Sequence, residues 1–564
     1  MSNTVFTWLS KKQPIVTLST CEAEYVAASL SVCHAIWLRN LPSKLEMKQK
    51  GGTVIRVDNK SAIKLAKNPI IPSENRDRSD LHEIWRVSLQ IPYFCFRGLS
   101  FLVVDGCQFL SDVLPFSLLP LLPGLETLEV RNCDSVKTIF DVKCTTQATL
   151  ITFPPLRKLV LSQLPNLETV WNEDPSEIPC TQHLEEVYVD NCKCLTSVFP
   201  TSAVKYLERL ENLVIKHCDV FTEIVAETNP ADPKGTTLNL TFPCVTSLTL
   251  WDLPKLKHTS LYCIHDATPT FEPITPNLQH LRVGENAMKM IVGGAYHGNH
   301  LHKLKVLTVC FHIGPGVFLE FLQLVPNVEK LALYSGSLKE IFCLQIPNNV
   351  DYTGFLLQLK ELNLVSLREL VSIGFQNSWT EPFVRNLEIF VVINCSSLNN
   401  LVACTVSFSN LTTLEVKGCN SLLNLFTSST AKSLGQLKTM EISKCKLMEE
   451  IVSKEGEESC KDEEIIFEQL QFLYLKSLKE LKCFYPGNFT LSFPSLKKVC
   501  FIKCKSMKTF SAFNKIDHSI KSYSPGDAEP RRENDLNAAV RNRFEEEVRI
   551  YPFTSYSLFD DRNY

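Results

Sequence analysis

The sequence predicts an α/β solenoid, one ladder of parallel strands with a short returning segment behind each strand. Three observations predict it. The pattern L-x-x-L-x-V-x-x-C at Leu125, Leu128, Val130 and Cys133 returns down most of the chain, first at Leu99, Leu102, Val104 and Cys107 and last at Leu496, Val499, Phe501 and Cys504. Copies without Cys keep the spacing, as at Leu156, Leu159, Leu161 and Leu164, so that about fifteen copies follow one another at intervals of roughly 24 to 35 residues. At 564 residues the chain is too long for one ordinary core, whereas stacked repeats lengthen without thickening.

The strand period explains the pattern. In L-x-L the two apolar residues share a face and the residue between them points outward. One copy cannot bury its apolar face alone, but stacked copies bury a continuous core, and fifteen strands make a ladder on the order of 70 Å long. The spacing is the leucine-rich-repeat signature, so the expected architecture is a leucine-rich-repeat horseshoe. A sharp turn follows each strand. Cys occupies it at Cys107, Cys133, Cys192, Cys218, Cys395, Cys419, Cys445 and Cys504, where a small polarisable side chain suits a buried turn. Two copies carry Asn286 and His312 there instead, Asn being the other residue expected at that turn.

Bulk properties narrow the function. The 58 basic and 61 acidic residues nearly balance, so no global field argues for nucleic acid or an anionic membrane as the partner. Of the 22 cysteines, the eight at turns read as reduced and buried. The N-terminus lacks the apolar core of a signal peptide, and the richest apolar stretch, FSLLPLLPGL, is broken by proline and well short of the roughly 20 residues of a membrane span. A cytoplasmic location is expected.

Residues 1–80 do not follow the repeat. Thr4 to Trp8, Ile15 to Leu18 and Val54 to Val57 read as strands, and Glu22 to Leu41 as a helix. The phrases STCEAEY and VDNKSAI, within VFTWLSKKQPIVTLSTCEAEYVAASLSVCHAIWLRNL and VIRVDNKSAIKLAKNP, closely resemble the ribonuclease H domain that ends copia-type retrotransposon polyproteins. The resemblance implies a small α/β fragment in which Glu24 and Asp58 match two metal-binding carboxylates. Ribonuclease H chemistry needs a full carboxylate cluster to hold two divalent metals. The family's first catalytic Asp would precede Met1, and Asp77 with its neighbours only partly matches the closing segment, so Glu24 and Asp58 are read as vestigial.

From 81 to 510 the repeats run, and their returning segments share phrases: CDSVKTIF from Cys133, CLTSVFP from Cys194 and CNSLLNLF from Cys419, alternating with F-P-x-L and L-P-x-L openings. Together these resemble the leucine-rich region of plant intracellular immune receptors of the coiled-coil, nucleotide-binding class. Three excursions, Asp141 to Ile151, Glu227 to Leu240 and Ser453 to Glu464, read as loops. After Phe510 the pattern stops. In 511–564, Asp535 to Val548 reads as an amphipathic cap helix with Leu536, Val540, Phe544 and Val548 on one face, followed by a loose tail.

No catalytic or metal constellation rises above background. His280, His297, His300 and His302 come nearest to a cluster but lack a completing Cys or carboxylate, and no G-x-x-x-x-G-K-[ST] phosphate loop occurs. No cofactor, metal or nucleotide is expected, and no enzymatic activity. What remains is a surface, the outward strand positions Glu129, Arg131, Tyr188, Asp190, Lys216, Trp251, Arg282, Tyr334, Glu415, Lys417, Glu441, Tyr474 and Lys476. Aromatic and charged side chains on a rigid face are what protein interfaces use as anchors. The resemblance implies a protein ligand, pathogen-derived or a guarded host protein, and a role in plant defence without a nucleotide switch in this segment. A residual retrotransposon ribonuclease H and a non-functional fused gene fragment are the alternative readings, and an adaptor for ubiquitin ligation is a third.

Overall fold

In the computed structural model the described residues are 98–542, apart from 109, 116–117, 142–152, 173–180, 227–241, 258–261, 265–270, 274, 295–300, 311–314, 343–355, 376–377, 403–405, 456–462 and 524–529. Residues 1–80 with Glu24 and Asp58, His297, His300, His312, Phe544, Val548 and most of the three excursions lie outside the described residues. The chain divides into two compact units, Met1–Leu207 with Val225–Thr228, and Glu208–Ile224 with Asn229–Tyr564.

In the first unit the strands Phe101–Asp105, Thr127–Arg131, Lys158–Ser162 and Glu186–Asp190 pair in parallel and in chain order. Their register sets Leu128, Leu159 and Val187 side by side, then Val130, Leu161 and Val189, all at most 1% exposed. The strands therefore alternate as their L-x-L text requires. Behind them runs a second ladder of Asp112–Pro115, Thr138–Asp141 and Thr169–Trp171. It comes from the returning phrases, and CDSVKTIF ends in Phe140, stacked 4.3 Å from Trp171.

In the second unit the parallel ladder runs from Asn212–Lys216 through Ser247–Trp251, His280–Val283, Val306–Cys310, Lys330–Tyr334, Glu361–Val365, Ile389–Ile393, Thr413–Lys417, Thr439–Ser443 and Phe472–Lys476 to Lys498–Ile502. Past Phe510, where the sequence pattern stops, Ile520–Tyr523 adds one more parallel strand and Arg531–Glu533 closes that edge antiparallel. A helix at 536–542 follows, with Leu536 and Val540 buried. Asp535 caps it, accepting bonds from the amides of Asn537 and Ala538 at 3.1 and 3.0 Å. Two longer helices return the chain, Glu285–Gly294 and Pro315–Gln323.

The turn after each strand has a fixed geometry. Thirteen residues directly following ladder strands, from Gly106 and Asn132 to Ser477 and Lys503, have φ between 39° and 70°. In ten of them the backbone N–H then donates to the last carbonyl of the next strand, as Asn132 does to Ser162 at 3.1 Å and Asn394 to Lys417 at 2.7 Å. The Cys comes next, buried at all eight positions, and its thiol donates to a strand carbonyl two residues back, as from Cys133 to Arg131 at 3.0 Å. Several thiols also reach the preceding coil, as Cys504 does to Leu475 at 3.3 Å. Asn286 is a correction to the sequence reading: it stands in the first turn of the helix Glu285–Gly294, not in a strand turn. Its amide instead donates to Pro254 and Leu253 of the preceding coil, at 2.9 and 3.3 Å.

Burial should keep reagents away from these thiols, although contacts between neighbouring coils shift them in both directions: Cys133 and Cys395 are lowered, first by their bonds to Cys107 and Cys419. Cys419 is pushed up to about 12, first by its thiol contact with Cys395 and then by burial, against a lowering contact from Cys445; the contact with Cys419, and then burial, raise Cys445 as well. Alkylation of the native protein at neutral pH is expected to label the exposed Cys194 and Cys244 and to spare the eight turn cysteines, as peptide mass mapping would show. Rapid labelling of Cys419 or Cys445 before unfolding would contradict this packing.

Candidate protein-binding face

All thirteen outward positions named from the sequence lie on strands and are half-buried or exposed, while their strand neighbours face the core. In the first unit Glu129 shares a register row with Val160 and Tyr188, and Arg131 shares one with Ser162 and Asp190. Arg131 pairs with Glu129, and the Tyr188 hydroxyl donates to Asp190 at 3.3 Å. This patch is internally satisfied, mixed in charge and carries one ring.

The second unit brings together residues that lie far apart in the chain. Arg282 places its guanidinium carbon 4.3 Å from the centre of the Trp251 ring and 5.7 Å from that of Tyr334. The two rings meet edge to face at 6.4 Å. Strand order and pleat cause this: Arg282 sits beside Thr249 and Thr308, small side chains that leave room for the longer ones around them. A guanidinium over aromatic faces is attracted by the ring quadrupoles and held in a defined orientation.

Further along, Glu415, Glu441 and Tyr474 form one row, with Lys417, Ser443 and Lys476 in the next outward row. Lys476 donates to Glu441 at 2.7 Å and its ammonium lies 4.8 Å from the Tyr474 ring centre. The Glu415 carboxyl is held above the ordinary carboxylate range, first by burial and then by Glu441 across the ladder, with Lys417 and Lys476 pulling it back. Lys498 stands 5.4 Å from the same Tyr474 ring and 4.0 Å from that of Tyr523. Sequence reasoning missed both Lys498 and Tyr523. Lys498 holds the outward position before the L-x-L pair, which the pattern could have given, but Tyr523 lies on the strand beyond the last legible repeat. Lys216 pairs in register with Trp251 and extends the aromatic cluster by one strand.

Charged rungs border the strands where they begin. Arg157 bonds Glu185 through two contacts at 2.8 and 3.0 Å, and Lys305 with Glu329, Lys330 with Glu361 and Lys360 with Glu388 pair across neighbouring strands. Exposed pairs of this kind contribute little each; their effect is on register. Asn residues just before the first Leu add to it, donating to the coil behind from Asn277 to Pro243, Asn327 to His302 and Asn386 to Leu357 at 2.7 to 2.9 Å.

Among the described residues no group of three or more His, Cys, Asp or Glu is placed to hold a metal ion, and no helix is long and apolar enough to cross a membrane. What the face offers is planar rings, a guanidinium and paired charges on a rigid sheet. That is the chemistry of recognition.

Comparison with known proteins gives relatives for both parts of the chain. One is the probable disease resistance protein At1g12290 of Arabidopsis thaliana, 32% identical over 127 residues, which are 22% of this chain and 13% of that protein. The N-terminal region is similar to the retrovirus-related Pol polyprotein from transposon TNT 1-94 of Nicotiana tabacum, 43% identical over 67 residues, 12% of this chain and 5% of that one. The chain thus spans only a small part of these relatives. Among solved structures, the crystal structure of a TLR13-ssRNA13 complex covers 72% of this chain and 62% of its own at 12% identity, but its TM-score of 0.25 is too low to carry an argument. The family model described as plant disease resistance protein RPS2-like, leucine-rich repeats, matches residues 73–219, 277–407 and 403–514. With more than half of its residues matched, the chain belongs to the RPS2-like leucine-rich repeats of plant disease resistance proteins.

Proposed function

We propose that the protein is a non-catalytic recognition element of plant defence that binds a partner protein on the outward strand face of its repeats. The observation that carries this reading is the convergence of Trp251, Arg282 and Tyr334, the residue types that dominate protein interfaces, on one rigid patch. Family membership supports the defence role. The partner is a pathogen-derived protein or a host protein under guard, and binding takes place in the cytoplasm. Recognition is assigned to residues 81–510 and nucleotide switching is not. Residues 511–542 cap the last coil, and residues 1–80 are a remnant of a copia-type ribonuclease H sequence whose Glu24 and Asp58 do no chemistry.

The test is affinity capture from plant leaf extract with the wild type and with a variant carrying Tyr188, Trp251, Tyr334 and Tyr474 as Ala. All four side chains are partly exposed, so the variant should fold. The expected result is one protein held by the wild type and lost by the variant, with its affinity for the purified chain weakened at least about a hundredfold. Equal capture by both proteins would remove the strand face from the account.

A further inference from the structure

We propose that the stretch of strand face around Arg282 is an anchor for a carboxylate, and that the partner presents it on an acidic protein segment. The inference rests on the proposed binding role and specifies the chemistry of the partner. Five strands pair in order from Asn212–Lys216 to Lys330–Tyr334, and none of their outward positions carries Asp or Glu. The charged side chains there are Lys216, Arg282 and Lys330, with His280 beside them. Lys330 is engaged by Glu361 of the next strand at 2.7 Å.

Arg282 is exposed, and among the described residues it has neither an ion-pair partner nor a hydrogen-bond acceptor; its contacts are the two rings. Ring contact occupies the flat side of a guanidinium and leaves its in-plane N–H fork free, the geometry that takes a carboxylate through two parallel bonds. The rings also hold the fork in place before a ligand arrives, so less side-chain freedom is lost on binding. One residue beyond the paired Leu250 and Val283 come Trp251 and Gly284, so Trp251 has no side chain opposite it on the Arg282 strand. Elsewhere in this unit Lys476 is engaged by Glu441, Glu415 stands beside Glu441 as a second negative charge, and Lys498, between the Tyr474 and Tyr523 rings, carries an ammonium and not a fork. A carboxylate therefore fits the Arg282 stretch better than the far end of the ladder, where Glu415 and Glu441 stand side by side and the ring-held cation is a lysine.

A nucleic-acid track is the poorer fit. It needs cations repeated along the phosphate spacing, whereas this patch has one guanidinium between rings on a chain with 58 basic and 61 acidic residues. An acidic protein segment carrying rings or aliphatic groups would satisfy Arg282 and cover Trp251 and Tyr334 together.

The test uses the full chain and three probes read by fluorescence anisotropy: a labelled peptide alternating Glu and Tyr, the same peptide with Gln for Glu, and a labelled single-stranded oligonucleotide. The wild type is expected to bind the Glu peptide and to bind the Gln peptide at least about tenfold more weakly. Arg282→Gln should weaken the Glu peptide by at least about tenfold, and Arg282→Lys should recover part of that loss, because it keeps the charge but not the fork. Lys479→Gln, on an exposed turn, should bind as the wild type does. Circular dichroism establishes that each variant is folded. Equal binding of both peptides, undiminished binding by Arg282→Gln, or no binding of the Glu peptide overturns the proposal. An oligonucleotide that binds more tightly than the peptide and is lost in Arg282→Gln overturns it in favour of a nucleic-acid ligand. If the captured partner is lost by the four-residue variant but kept by Arg282→Gln, the strand face stands and the carboxylate anchor fails. If both variants keep it, the binding reading itself fails.

Discussion

Phe390→Ala is expected to destabilise the second unit by about 3–5 kcal/mol and to open the ladder near the substitution without melting it throughout. Phe390 is fully buried in the strand Ile389–Ile393, where its row continues into Leu362 on one side and Leu414 on the other. Behind the strand its ring meets Phe375 at 5.8 Å and Phe408 at 6.1 Å, and Phe375 in turn reaches Phe342 and Phe383. Truncation removes the ring that joins the strand ladder to the returning segments, and rigid coils on either side limit how far the cavity can collapse. Because each repeat contacts only its neighbours, the loss should stay local. Native-state hydrogen exchange checks it: amides of Glu361–Val365, Ile389–Ile393 and Thr413–Lys417 should exchange much faster, and those of Ser247–Trp251 should not. Uniform acceleration along the whole ladder would contradict nearest-neighbour stability.

Gly374→Ala should be nearly as damaging, by roughly 3 kcal/mol, although it adds one methyl group. Gly374 has φ +88°, and a Cβ there would lie 2.3 Å from the carbonyl oxygen of Phe342 and 2.8 Å from its carbon. The obstacle is backbone, and that backbone is held: the Phe342 N–H donates to Ile373 at 3.1 Å. Neither side can yield without breaking the stacking of Phe342 on Phe375. Gly284→Ala is the useful contrast, since its φ is not in the left-handed region and its nearest contact is 3.1 Å. Denaturant unfolding of the two variants should rank Gly374→Ala as clearly the less stable. Equal stability would mean the Gly374 turn can relax, contrary to its close approach to Phe342.

The strands and their outward residues were legible because a period of two is enforced by the pleat wherever one face is buried. Leu128 and Val130 place Glu129 outward without reference to the rest of the chain. The turns were half legible. Cys marked where each turn falls, but the left-handed residue is the one before it. Gly106, Asn132, Asn191, Asp252, Asn394 and Gly418 are residue types that favour that conformation, whereas Gln163 and Lys444 are not. There the ladder imposes it, and the amide bond to the next strand offsets the local cost. Asn286 was misread because the helix Glu285–Gly294 depends on how the longer return packs, which strand spacing does not encode. The meeting of Trp251, Arg282 and Tyr334 was illegible for a related reason, since it depends on register across several coils.

The central claim is that a partner covers the strand face, and hydroxyl-radical footprinting tests it most directly because it reads solvent access of individual side chains. With the captured partner bound, oxidation of Trp251, Tyr334 and Tyr474 should fall several-fold, while that of Phe513, 55% exposed and off the strand face, should not change. Protection of Phe513 with Trp251 and Tyr334 left as reactive as in the free protein would contradict the account and move the binding surface to another side of the repeats.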